Sequence, residues 1–211
     1  MKKRRARKKQ FEKSFNKLVE NILSCYPDDE YYHSQEHIFQ MLKFAEIISD
    51  ETKKICPALS EAIQSPEFVY AIVCHDVIYK TGENDNEEKS AEFACEYMKD
   101  IFDFDEDYIK TLILSTKEGA DLNCIEKKII HDLDYSRFVS LEDSLIALYK
   151  LEREALRDGF TKEQFFVGSL NFYNELLKKE KIFETVFFED YNEVAKNNIK
   201  EVIKYLYENF S

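Results

Sequence analysis

Three short stretches of this sequence concentrate side chains that can ligate a metal: "HSQEH" at 33–37, "HD" at 75–76 and "HDLD" at 131–134. They contain all four histidines of the chain, His33, His37, His75 and His131, together with Asp76, Asp132 and Asp134. Imidazole nitrogen and carboxylate oxygen together suit Mn, Fe, Co or Zn, and a second, oxygen-richer position would take Mg or Mn. His33 and His37 are four residues apart, the spacing that puts two side chains on one helical face. His75 and Asp76 are adjacent, so on a helix they point about 100° apart and can serve one ion only at the helix's edge or end. An ionised Asp76 after the apolar run Phe68 to Cys74 would be expensive to bury without a cation. The plainer alternative is an Asp hydrogen-bonded to backbone at a helix end, with His75 a satisfied core histidine.

Ligands from segments this far apart need a scaffold to gather them, and the sequence pattern for that scaffold is helical. Phe11, Phe15, Leu18, Val19, Ile22 and Leu23 recur at helical spacing and stop before "CYPDDE", predicting a helix and then a loop. A second helix is predicted from Ser34, a residue type suited to the N-cap, with Ile38, Met41, Leu42, Ala45 and Ile48 along one face. His33 then stands at its threshold and His37 in its first turn. "SPEFVYAIVCHD" predicts a helix with Pro66 in the first position, buried on nearly all sides. Further helices are predicted in "EEKSAEFACEYMKDIF", "EDYIKTLILSTKEG", "NCIEKKIIHDLDYSRF" and "LEDSLIALYKLEREALRD", the last ended by Gly159. "TKEQ" at 161–164 spells a capping box, and a final helix covers "EDYNEVAKNNIKEVIKYLYENF". No stretch alternates with the two-residue period of a strand, so the expected fold class is all-α.

At 211 residues the chain can bury one substantial core, and a single domain over 11–211 is expected, preceded by a basic, disordered tail at 1–10. Hydrophobic content of 44% excludes a wholly disordered chain, while four Gly and three Pro supply few turns for an all-β fold. Cys25, Cys56, Cys74, Cys95 and Cys124 form no CxxC pair and read as reduced core residues in a cytosolic setting. Seven of the 30 Lys and Arg residues fall in "MKKRRARKK", leaving 23 against 42 acidic residues in the rest. That acidic body repels phosphate backbones, so nucleic-acid binding is not expected except through the tail. The tail itself could touch RNA, anionic lipid or an import receptor, or simply be solvated. With no secretory apolar region and no apolar run long enough to span a membrane, a cytoplasmic protein without a membrane partner is expected, nuclear if the tail acts as an import signal.

Together, "YYHSQEHIFQML", "AIVCHDVIY", "NDNEEKSAEFA" and "HDLDYSRF" resemble the HD superfamily of metal-dependent phosphohydrolases, whose ligands run His, then His-Asp, then a distant Asp. More narrowly, the chain resembles the subfamily of predicted metal-dependent HD phosphohydrolases, which spells these segments YHNLxHI, HDxxYD, NEExSA and DADLS. "LEREAL" resembles that subfamily's R-x-E-Y segment and "KIFETVFFEDYNEVAKNNIKE" its closing helix, so the likeness runs over roughly residues 11 to 205. The resemblance implies a helical bundle of the HD and phosphodiesterase type. Cyclic-nucleotide phosphodiesterases, distant relatives by fold, carry YHNxxHA, in which the second histidine is a ligand and the first protonates the leaving oxygen. Matched by position, His37 is the implied ligand and His33 the implied acid. Because "LDYS" stands where the subfamily has ADLS, Asp134 rather than Asp132 is the implied distant ligand.

The implied ligand set is therefore His37, His75, Asp76 and Asp134, holding one or two divalent ions. The implied reaction is hydrolysis of a phosphate ester by metal-activated water, with Asp76 able to bridge two ions. Glu87 is placed to orient that water or the ligands, or to be the solvated start of a helix. His131 and Asp132 are candidates to support the ligands. Arg153 would contact a substrate phosphate or pair with Glu on its own helix. The chain departs from the subfamily at three places: "TKEGA" at 116–120 lacks the histidine of T-x-x-H, Lys80 replaces the Asp after HDxxY, and Gly168-Ser169 replaces Gly-Arg. A hydroxyl does not reproduce the fork of an arginine. The expected function is a metal-dependent phosphohydrolase acting on a nucleotide or other small phosphorylated metabolite; the alternative is a non-catalytic, metal-stabilised module of the same fold that binds a nucleotide or protein.

Overall fold

The computed structural model describes residues 2–27 and 31–210, and within them ten α-helices follow one another with no strand. They are α1 (Lys2–Leu23), α2 (Gln35–Thr52), α3 (Pro57–Ile63), α4 (Pro66–Cys74), α5 (Asn86–Met98), α6 (Glu106–Ile113), α7 (Ile125–Asp134), α8 (Leu141–Arg157), α9 (Lys162–Lys178) and α10 (Asn192–Phe210). Short 3₁₀ turns cover Leu114–Thr116, Tyr135–Val139 and Glu189–Tyr191. The fold is all-α. Asp28 to Glu30 of the expected "CYPDDE" loop lie outside the described residues, as do Met1 and Ser211, the outer limits of the expected tail and domain.

Ser34 stands just before α2 as expected, but its hydroxyl accepts no capping hydrogen bond; other helix ends are held by local chemistry. Ser65 accepts from the Phe68 amide ahead of Pro66, Asp105 from Tyr108, and Ser140 from Asp143. Thr161 and Gln164 form both halves of the capping box that opens α9. Gly159, at φ +92°, takes the left-handed conformation that ends α8. The apolar run becomes α4, whose Phe68, Tyr70, Ala71, Ile72, Val73 and Cys74 are all fully buried. Around α4 pack α1, α2, α3, α5 and α6. A second group, α8, α9 and α10, packs on itself and on the turn Tyr135–Val139, which follows α7 without a break.

Two expectations change. The basic stretch expected to be a disordered tail is helical from Lys2 and continuous with α1, although residues 5 to 10 stay exposed. Phe11 and Phe15 then fasten this helix edge-on to Phe102 and Phe104. All five cysteines are free, but only Cys74 and Cys95 are buried; Cys25, Cys56 and Cys124 are exposed. Among the described residues no helix is long and apolar enough to cross a membrane.

Candidate metal centre and its cavity

The end of α4 is held in place by side chains that take its last carbonyls, groups a helix terminus otherwise leaves without partners. Tyr26 donates its hydroxyl to the Val73 carbonyl at 2.8 Å, and His75 donates Nδ1–H to the Ile72 carbonyl at 2.9 Å. Committing Nδ1 to that bond turns His75 Nε2 toward Asp76 Oδ2 at 2.8 Å and Asp134 Oδ1 at 3.7 Å. The approach of Asp76 is too oblique for a hydrogen bond, and Nε2 is buried with no hydrogen-bond partner. A nitrogen facing two carboxylates in a buried site calls for positive charge there, a proton or a metal ion.

His37, in the first turn of α2, completes the group: its Nε2 lies 3.1 Å from Asp134 Oδ1 and 3.8 Å from Asp76 Oδ2. One donor atom from each of His37, His75, Asp76 and Asp134 falls within 4.8 Å of all the others. Opposite ligands of an octahedral ion stand about 4 Å apart, so the spread suits a divalent metal. The electrostatics agree. Burial lowers the pKa of His37, which favours the neutral imidazole that metals take. Burial opposes charge on both aspartates, yet His75 and His33 bring Asp76 below its usual range, and His37 and His75 hold Asp134 well below. Burial likewise opposes charge on His75, but the two carboxylates outweigh it and raise its pKa well above normal. The same two carboxylates that raise the His75 pKa would stabilise a cation set between them.

Asp76 and Asp134 open onto a cavity of about 390 Å³ whose walls are rich in aromatic rings, Tyr79, Phe160, Phe165 and Phe172 among them. His33 stands on the same wall. Its Nδ1–H donates to Glu154 Oε2 at 2.5 Å, its ring stacks on Tyr79 with centroids 3.3 Å apart, and its Nε2 lies 3.9 Å from Asp76 Oδ2. Glu154 is buried, so the imidazole is pinned by a carboxylate behind it and presents its other nitrogen to the centre. Glu87 also lines the cavity, half-buried at the start of α5, with its carboxyl pushed up by burial and by the charge of Asp76.

Three sequence candidates do not join this group. Asp132 accepts from the Glu184 amide and from both the amide and hydroxyl of Thr185, at 2.7–2.8 Å, anchoring the segment before α10. Its carboxylate is fully engaged there, two residues and about 200° round α7 from Asp134. His131 stacks on Tyr135 and contacts Asp132 at 3.2 Å; it is not among the residues lining the cavity. Arg153, on α8, donates to the Tyr149 hydroxyl at 3.3 Å and does not line the cavity either. The neighbouring Glu154 is the residue of this segment that reaches the site, through its contact with His33. It falls in the buried stripe of Ala147, Leu148 and Ala155, and an acidic residue inside an apolar stripe was the available signal. Arg137, three residues after Asp134, is a further cavity residue that residue-type reasoning passed over.

No family model matches the chain, and comparison with curated proteins and with solved structures also gives no match. The class that fold and site define is therefore a helical protein with a His/Asp cluster able to hold a metal ion.

Proposed function

We propose that the protein is a metal-dependent phosphohydrolase of the HD type that cleaves a phosphate ester of a nucleotide or other small phosphorylated metabolite. The observation that carries this reading is the pairing, in one cavity, of a metal-competent His/Asp cluster with a histidine backed by a buried carboxylate. His37, His75, Asp76 and Asp134 would hold the divalent ion, Mn, Fe, Co or Zn, with Mg as a candidate for a second position. When bound, such an ion neutralises phosphoryl oxygens and acidifies water into a nucleophile. His33 then gives its Nε2 proton to the departing oxygen, while Glu154 holds the ring in place. Glu87 orients polar groups at the mouth of the cluster, and the aromatic walls exclude water from the reacting atoms.

Metal analysis of the purified protein and a panel of nucleotides, cyclic nucleotides and sugar phosphates test this. Asp76→Ala is expected to lose both metal and activity, and His33→Ala to keep its metal while hydrolysis slows by about 10²- to 10⁴-fold. Loss of metal from His33→Ala with retention in His37→Ala would reverse the two roles. A second reading, the metal-stabilised binding module, draws on Glu118 and Ser169. These line the cavity at or beside positions where the resembling subfamily carries histidine and arginine. Bound metal with no turnover across the panel selects that reading.

A further inference from the structure

Arg137 is only 9% exposed, yet among the described residues no carboxylate comes within ion-pair distance of it. It sits in the turn Tyr135–Val139, three residues after Asp134, so the two side chains share a face of that turn and both line the main cavity. Nη1 donates to the Tyr32 hydroxyl at 2.7 Å, while Nε is buried without a hydrogen-bond partner. Among the described residues it makes no ion pair. Aromatic rings cage it instead, with Phe138 at 4.6 Å, Tyr32 at 4.8 Å, and Tyr135 and Phe172 both at 5.9 Å. Ring faces favour a cation and fix the plane of the guanidinium, but they offer no acceptor for five N–H donors. A buried donor left unpaired is costly, the more so on a charged group. Among the described residues lining the cavity, Arg137 is also the only Lys or Arg, set against Asp76, Glu87, Glu118 and Asp134.

We propose that Arg137 is the anion-binding residue of the cavity, its free N–H donors gripping the phosphoryl oxygens of the ligand beside the His/Asp cluster. The ligand class rests on the phosphohydrolase reading above; the existence of an anion site at Arg137 does not. Pinned by Tyr32 and flanked by rings, the fork is oriented before the ligand arrives, which suits the bidentate recognition that phosphate geometry favours. Arg137 and Tyr32 also border a second cavity, about 340 Å³, shared with Lys43 and Lys150 between α2 and α8, and the test must separate the two sides.

The test is calorimetric titration of the Mn-loaded full chain with inorganic phosphate, then with adenosine monophosphate and with adenosine. Wild type is expected to bind phosphate and the monophosphate. Arg137→Met is expected to weaken both by about tenfold to a hundredfold, with Mn content and adenosine binding unchanged. Arg137→Lys, which keeps the charge and loses the fork, is expected to weaken phosphate by about tenfold and decides the matter should the Met variant not fold. Lys150→Ala is expected to stay within a few-fold of wild type. Wild-type affinity in an Arg137 variant that retains Mn, or no phosphate binding by wild type, overturns the proposal. Loss of binding in Lys150→Ala also overturns it, placing the anion in the second cavity. Arg137-dependent phosphate binding in a protein that hydrolyses nothing on the panel upholds the anion site and removes the hydrolase reading alone.

Discussion

Glu87 stands half-buried in the cavity wall, where burial and the charge of Asp76 push its carboxyl above the ordinary value of 4.5. A folded-state pKa above the unfolded one means that the folded chain takes the proton first, so stability rises as pH falls through the folded value. At neutral pH the ionised group therefore weakens the fold, a common cost of residues kept for a site. Glu87→Gln is expected to melt higher than the unsubstituted, metal-free chain at pH 7, with the gain shrinking to nothing below the unfolded value. Thermal melts at pH 7 and pH 4 check this; equal melting at both would remove the destabilising role. At this scale the sequence pointed to the four residues that the fold gathers into a metal-competent cluster, because histidine is rare in this chain and rarity is a signal. Glutamate is common and Glu154 stood out only by its place in an apolar stripe, while Arg137, one of six arginines, is set apart by a burial that tertiary packing decides. Asp132, set aside as a ligand in favour of Asp134, is turned away from the cluster because two positions on a helix rotate the side chain by about 200°.

The segment 77–86 between α4 and α5 forms one wall of the cavity and is tied at several points. Ser90 Oγ bonds both the amide and the carbonyl of Ile78 at 3.1 Å, Asn86 closes on Lys80, and the Thr81 amide donates to Asp158 at the end of α8. Gly82 sits at φ +84°, and a Cβ there would lie 2.6 Å from Cζ of Phe160, another lining residue. Gly82→Ala thus meets a strained backbone and a collision, and is expected to destabilise by about 1–3 kcal/mol in denaturant unfolding. Gly159→Ala is the control: its φ is +92° but nothing lies within 4 Å of its added Cβ, so only the backbone part, about 1 kcal/mol, should appear. Equal losses at the two sites would show that Phe160 yields freely. The tertiary ties of this segment were not legible, because Asp158 and Thr81 are joined only by folding. The long helices were legible, since amphipathic period and caps agree. The short α3 was not, its seven residues giving too few turns for a period to register. The basic start of α1 read as a tail because charge density argues for solvation. Helix formation needs only that the exposed face stay wet.

For the whole molecule, the consequence of the cluster is mechanical as well as chemical. His37 comes from α2, His75 and Asp76 from the end of α4, and Asp134 from the end of α7, just before the turn that packs against α8 and α10. An ion held by all four ties the α4-centred group to the strand of chain that leads into the second group. A ligand that binds only the folded state stabilises by RT ln(1 + [L]/Kd), about 2.7 kcal/mol at a hundredfold excess over Kd. In a chain of this length that is a rise of roughly 5–10 °C in Tm. Mn is therefore expected to raise the melting temperature by that amount at pH 7.5, and a chelator to reverse it. The rise should shrink toward pH 5, because the carboxylates raise the His75 pKa and a proton there competes with the ion. Asp134→Asn should abolish the shift. The chain carries 42 acidic residues, so loose surface binding of Mn is the competing explanation. It predicts a small rise that survives in Asp134→Asn and fades with added salt, whereas a rise confined to the intact quartet and indifferent to salt belongs to the buried centre.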